Sequence, residues 1–266
     1  MNAMGQALAV MRMELRRGVS WRSFWVIAMA FAPVVIIAAH ALEDHSHRLE
    51  DHTLIINGIF QIYYVRCGIF FGCLGIFLRL VRGEVAERTL HYLFLAPVRR
   101  EALVIGKFLA GTLTTVLVFG TGVTSAVLLM YGHFAEGRAF LAQGPGLAHL
   151  RLDLLVVVLA CLGYGAVFLA FSLLSKNPVV PAVALVFWEG VNGALPPWLK
   201  HASVTFYLKP LFPVELPMKG ILSLFTVVTE PTPVWLAVSG LFAFTFLVVA
   251  LACWRMRGIE VSYSSD

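Results

Sequence analysis

Four ionisable side chains recur at helical spacing in the charged stretch "GEVAERTLHYLFLAPVRREALVIGK", residues 83–107. Glu84, Glu87, Arg88 and His91 fall at i, i+3, i+4 and i+7 and share one helical face, while Ala86, Leu90, Leu93 and Phe94 share the other. The pattern predicts a short amphipathic helix over about 84–95, ended at Pro97. Its charged face suits contact with lipid headgroups or with another protein. Two more charges stand inside apolar runs, Arg66 and Glu189. An unpaired charge in hydrocarbon costs at least about 2.5–3.5 kcal/mol, so the two are expected to be partners, within one chain or across two chains, either fixing helix register or serving gating or a polar substrate.

Histidines gather in a third stretch, "HALEDHSHRLEDH", which holds His40, His45, His47 and His52 among Glu43, Asp44, Glu50 and Asp51. Imidazole and carboxylate suit Zn or Cu, but the spacing matches no fixed motif. A solvated loop is one reading. A metal site with His45 and His47 as candidate ligands is the other, and it makes a metal-sensing or metal-delivering membrane protein the alternative function.

Catalytic patterns are missing. There is no GxSxG, HExxH, GxxxxGK[ST] or GxGxxG after a strand, and Glu101 stands where a phosphate loop ending in Gly106-Lys107 would need its first glycine. No catalytic residue, bound cofactor or metal is expected in this chain. The cysteines, Cys67, Cys73, Cys161 and Cys253, form no CxxC pair and read as small apolar helix residues.

The elements that carry these residues follow from composition. With 59% hydrophobic and 13% charged residues, a chain of 266 residues has too little polar surface for a water-soluble globule. A hydrocarbon core of about 30 Å needs about 20 apolar helical residues per crossing. Six runs qualify, at Phe24–Ala41, Leu54–Leu78, Leu103–Tyr131, Leu152–Leu174, Val179–Leu195 and Val234–Trp254. The expected fold is all-α, a single polytopic domain over residues 1–266 without repeats. Met4, Leu8, Met11 and Leu15 lie on one face ahead of the first run, which predicts an interfacial helix over about 4–20 and not a cleaved signal. The loop "GHFAEGRAFLAQGPGLAHLR" reads as long and flexible, and "SKNP" as a tight turn. Residues 196–233 hold seven of the twelve prolines between short apolar pieces and read as re-entrant helices dipping into the outer leaflet.

Basic residues orient the spans. With the N-terminus inside, the inner segments hold thirteen Lys or Arg and the outer segments six, so both termini are expected in the cytoplasm of a multi-pass inner-membrane protein. The net charge of +5 expresses that bias and not a nucleic-acid footprint. In the second span, Asn57, Gln61, Tyr64, Gly68, Gly72, Gly75 and Arg79 form one narrow stripe, read either as close helix packing or as lining of a translocation path.

The run "ERTLHYLFLAPVRREALVIGK" resembles the cytoplasmic loop between the second and third spans of type-2 ABC exporter permeases, through Glu87, Thr89, Leu90, Leu93, Pro97, Val98, Arg99 or Arg100, Gly106 and Lys107. Arg88 stands where that family often has Gly. The stretch "MELRRGVSWRSFWVIAMAFAP" is similar to its interfacial helix and first span. The resemblance implies that the loop is a coupling helix seated in a separate ATP-binding subunit, which holds the ATP and Mg. It also implies a second permease subunit, identical or different, and transport driven by closure of the ATPases.

Overall fold

A computed structural model describes residues 3–17, 24–43, 48–86, 98–175, 177–191, 196–214 and 233–258, all of whose regular elements are helical. Helix α1 (Ala3–Arg17) precedes α2 (Phe24–Glu43). Helix α3 (Leu49–Gly58) runs through a π-helical segment, Ile59–Gly68, into α4 (Ile69–Ala86). Then come α5 (Arg100–Gly132), α6 (Ala135–Ala142), α7 (Gly146–Leu174) and α8 (Val179–Val191). Two short helices, α9 (Pro197–Lys200) and α10 (Val204–Leu208), lead to a 3-10 turn at Lys209–Leu211, and α11 (Val234–Arg257) ends the described chain.

Five stretches are long and apolar enough to cross a membrane among the described residues: Phe24–Leu42, Leu49–Val81, Arg100–Gly132, Gly146–Leu174 and Val234–Arg257. They correspond to five of the six expected spans. The expected span Val179–Leu195 is described only as the 13-residue α8, whose length of about 20 Å falls short of a bilayer core of about 30 Å. Residues 3–17, in the stretch expected as an interfacial helix, and the expected piece VTFYL are helical, and PWLK forms a further short helix; residues 215–232, which hold the other expected piece GILSLFTVV, lie outside the described residues. Part of the loop before α7 is corrected. It contains α6, held because Phe140 packs on Tyr131 with ring centres 5.0 Å apart and on His149 at 5.9 Å.

Helix α7 is the most enclosed span, while α2 and α11 are peripheral. Aromatic rings fill the centre: Phe70 meets Tyr164 at 5.2 Å and Phe168 at 5.0 Å, both edge to face. Small residues let the helices close on one another. A β-carbon at Gly122 would stand 2.5 Å from the Ala30 carbonyl oxygen, and one at Gly72 would stand 2.3 Å from the Phe119 ring.

Pro33 gives the π-helical segment a purpose. Lacking an N–H, Pro33 cannot bond the Met29 carbonyl one turn earlier in α2. The Tyr63 hydroxyl supplies that bond at 2.9 Å, and the Tyr64 hydroxyl donates to the Ala30 carbonyl at 2.9 Å. The wider i→i+5 turn lets two consecutive tyrosines reach one neighbouring helix.

Candidate functional site

The charged stretch is rooted where α4 ends and α5 begins. Glu84 falls on the last turn of α4, while Glu87, Arg88 and His91, with most of the helix expected over 84–95, lie outside the described residues. Its far flank is tied at three points. The Arg99 backbone N–H donates to Gln6 Oε1 of α1 at 3.1 Å. Arg100 Nη1 donates to the Arg257 carbonyl at 2.8 Å, closing the C-terminal end of α11, and Arg257 Nε returns to Glu101 Oε1 at 2.6 Å.

The deepest tie is buried. Lys107 Nζ donates to Glu14 Oε1 at 2.6 Å and to the Leu80 carbonyl at 2.7 Å, so one ammonium joins α1, α4 and α5. The side chains of Lys107 and Glu14 are only 3% and 5% exposed. A strongly hydrated charge pair withstands such burial only when further hydrogen bonds satisfy it, and the Leu80 carbonyl provides one. Gly106 makes the contact possible, since a β-carbon there would stand 2.6 Å from both the Ala7 carbonyl oxygen and the Val10 β-carbon. The Gly106-Lys107 pair therefore seats α1 against the root of the loop. Glu14 escaped the sequence reading, although a lone acid beside Ala7 and Val10 on a basic helix was a legible signal.

The stripe of the second span turns largely inward. Asn57 and Tyr64 are buried, Gly68 and Gly72 pack on Phe119, and Gly75 faces Trp25. Asn57 Nδ2 bonds the Thr53 carbonyl of its own helix at 2.8 Å. Gln61 Nε2 reaches the Val214 carbonyl at 2.7 Å and ties the segment after α10 to this helix. Arg79 is exposed at the other end.

Glu189 finds partners other than the one expected. Its carboxylate accepts the Ser203 hydroxyl at 2.6 Å, the Val204 N–H at 2.9 Å and the Thr205 N–H at 3.3 Å. Ser203 Oγ in turn accepts the Phe206 N–H at 3.3 Å, so the carboxylate and the capping serine together satisfy the first turn of α10. Arg66 lies in the π-helical segment and is half-buried. N–H groups at a helix start are already oriented, partially positive donors, which suits them to a carboxylate. The same turn is held from α7, with Tyr164 Oη and Thr205 Oγ1 3.1 Å apart.

His45 and His47 lie outside the described residues. His40 and His52 meet at a tilt with ring centres 5.8 Å apart, and His133, at the end of α5, lies tilted against His52 at 5.2 Å. Among the described residues, no group of three or more His, Cys, Asp or Glu is arranged to hold a metal ion. Asp153, on the second turn of α7, is a further buried carboxylate, 7% exposed, which hydropathy alone does not single out.

No curated protein matches the chain. The sequence profile of the ABC-2 family transporter proteins matches residues 15–191, a stretch that includes α2 to α8 and the whole charged loop. Five membrane-length helices among the described residues and that match agree: the chain belongs to the ABC-2 family and is a multi-pass membrane permease subunit of an ABC transporter.

Proposed function

We propose that this permease serves an exporter, forms the translocation path with a second permease copy or a related chain, and couples to a separate ATP-binding subunit through the loop carrying Glu84, Glu87, Arg88 and His91. Both termini and that loop face the cytoplasm of an inner membrane in this reading, with ATP and Mg held by the partner. A sixth crossing is completed by α8 together with the residues after Val191. The observation that carries the reading is how the loop's flanks are tied, to α1 through Gln6 and Glu14, to α4 through Leu80 and to α11 through Arg257. A push received by a loop so rooted reaches several membrane helices at once, as a rigid-body displacement requires.

The charged face belongs, in this account, to a protein contact, in which exposed charges steer association and contribute little to the fold itself. Reversal of both charges, Glu87→Arg with Arg88→Glu, is expected to leave membrane insertion and monodisperse yield intact and to abolish co-purification of the ATP-binding subunit. Normal co-purification and transport in the double variant would refute the coupling reading.

A further inference from the structure

Helix α1 carries three distinct faces. At about 100° per residue, Ala7, Val10 and Glu14 form the face docked on α5, and all three are buried. Met4, Leu8, Met11 and Leu15 form a second strip about 100° further round, with Met4 67% and Leu8 40% exposed. Arg12 and Arg16 follow as a third, exposed strip beyond Leu8. The helix has a single carboxylate, Glu14, and the buried pair with Lys107 draws it inward. What α1 presents outward is therefore apolar and then purely cationic.

Its position fixes what can meet such a surface. Helix α1 lies against the first two turns of α5, where the chain passes from Arg99, Arg100 and Glu101 into the buried apolar residues Ala102, Leu103 and Val104. That level is the boundary between headgroups and hydrocarbon. An apolar strip there enters acyl chains, and the neighbouring arginines stand at the depth of the phosphates.

We propose that α1 is a binding surface for anionic phospholipid, with Met4, Leu8, Met11 and Leu15 in the acyl region and Arg12 and Arg16 on the phosphates. The guanidinium fork matches a phosphate in two parallel bonds, and no acidic side chain of α1 opposes it. A cation beside an anionic membrane surface is worth roughly a five-fold preference, so the two arginines together give about a 30-fold enrichment of anionic over zwitterionic lipid at this helix.

The test is native mass spectrometry of the intact chain. The protein is purified from nanodiscs of seven parts phosphatidylcholine to three of phosphatidylglycerol, and retained lipid is compared for wild type, Arg12→Gln/Arg16→Gln and Arg12→Lys/Arg16→Lys. Wild type is expected to retain phosphatidylglycerol selectively, the glutamine pair to lose that selectivity by an order of magnitude or more, and the lysine pair to restore most of it. A bimane label on Leu8→Cys, quenched by brominated acyl chains in the same nanodiscs, reports whether the strip is in lipid. The proposal is overturned if the glutamine pair retains phosphatidylglycerol as wild type does, if the label at Leu8 is not quenched, or if the glutamine pair keeps its lipid but loses a protein partner.

Discussion

Removing one member of the Glu14–Lys107 pair measures how firmly α1 is welded to the root of the charged loop. Both side chains are almost fully enclosed, with 3% and 5% exposed, so neither charge has water to fall back on. Breaking a buried pair from one side costs about 3–5 kcal/mol, because the other charge stays behind unpaired. The two single variants differ in what they strand. Glu14→Met takes the carboxylate from Lys107 and leaves it the neutral Leu80 carbonyl at 2.7 Å, whereas Lys107→Met leaves Glu14 beside Arg17, whose Nη1 is 3.7 Å from Oε2. Each single variant is expected to fall within that range. The double variant replaces both charges by apolar groups of similar length, a change that is often neutral in buried sites. At about 2–4 °C per kcal/mol for a protein of this size, Glu14→Met should lower the apparent Tm by about 6–20 °C and the double variant by only a few degrees. Fluorescence-detected size-exclusion melts on detergent-solubilised protein give all four values. If the double variant falls as far as the two singles added together, the charges are not coupled and the weld is wrong.

Glycines on α5 should separate by what they face. Gly122→Ala drives a methyl group onto the Ala30 backbone oxygen and should cost about 1–3 kcal/mol, while Gly120→Ala meets only Leu154 at 3.8 Å and should be neutral or stabilising in the same melts. Glu189→Ala should cost about 1–3 kcal/mol for each buried donor it leaves without an acceptor among Ser203, Val204 and Thr205. Adding Arg66→Ala should not rescue that loss, because the orphaned donors remain; recovery in the double variant would show that the two charges are each other's partners after all.

Much of this architecture can be read in the residues, and the failures share a cause. Hydropathy finds the spans because the bilayer leaves no alternative to internally bonded helices, and it cuts them short where polar residues extend the helix, as at Leu49–Thr53 and Gly146–Arg151. The shift to π-helix over Ile59–Gly68 leaves no mark in a periodicity count, yet it places Tyr63 and Tyr64 on the carbonyls around Pro33. Arg66 and Glu189 are visible as misplaced charges, but the backbone N–H groups of α10 that Glu189 accepts within this chain are recorded by no side-chain alphabet. Gly106 and Lys107 stood out by resemblance alone, and their physical reason, a close approach of α1 and a buried ion pair, required the packing.

The central claim is that the loop between α4 and α5 meets an ATP-binding subunit. A photo-crosslinking amino acid at Thr89, on the predicted amphipathic helix, tests it in native membranes without disturbing the charged face. Irradiation should join the permease to an ATP-binding chain, identified by mass spectrometry of the adduct, with the same substitution at Gly144 giving no such product. Adducts with lipid alone at Thr89, or labelling of that position from outside intact cells, would contradict the account.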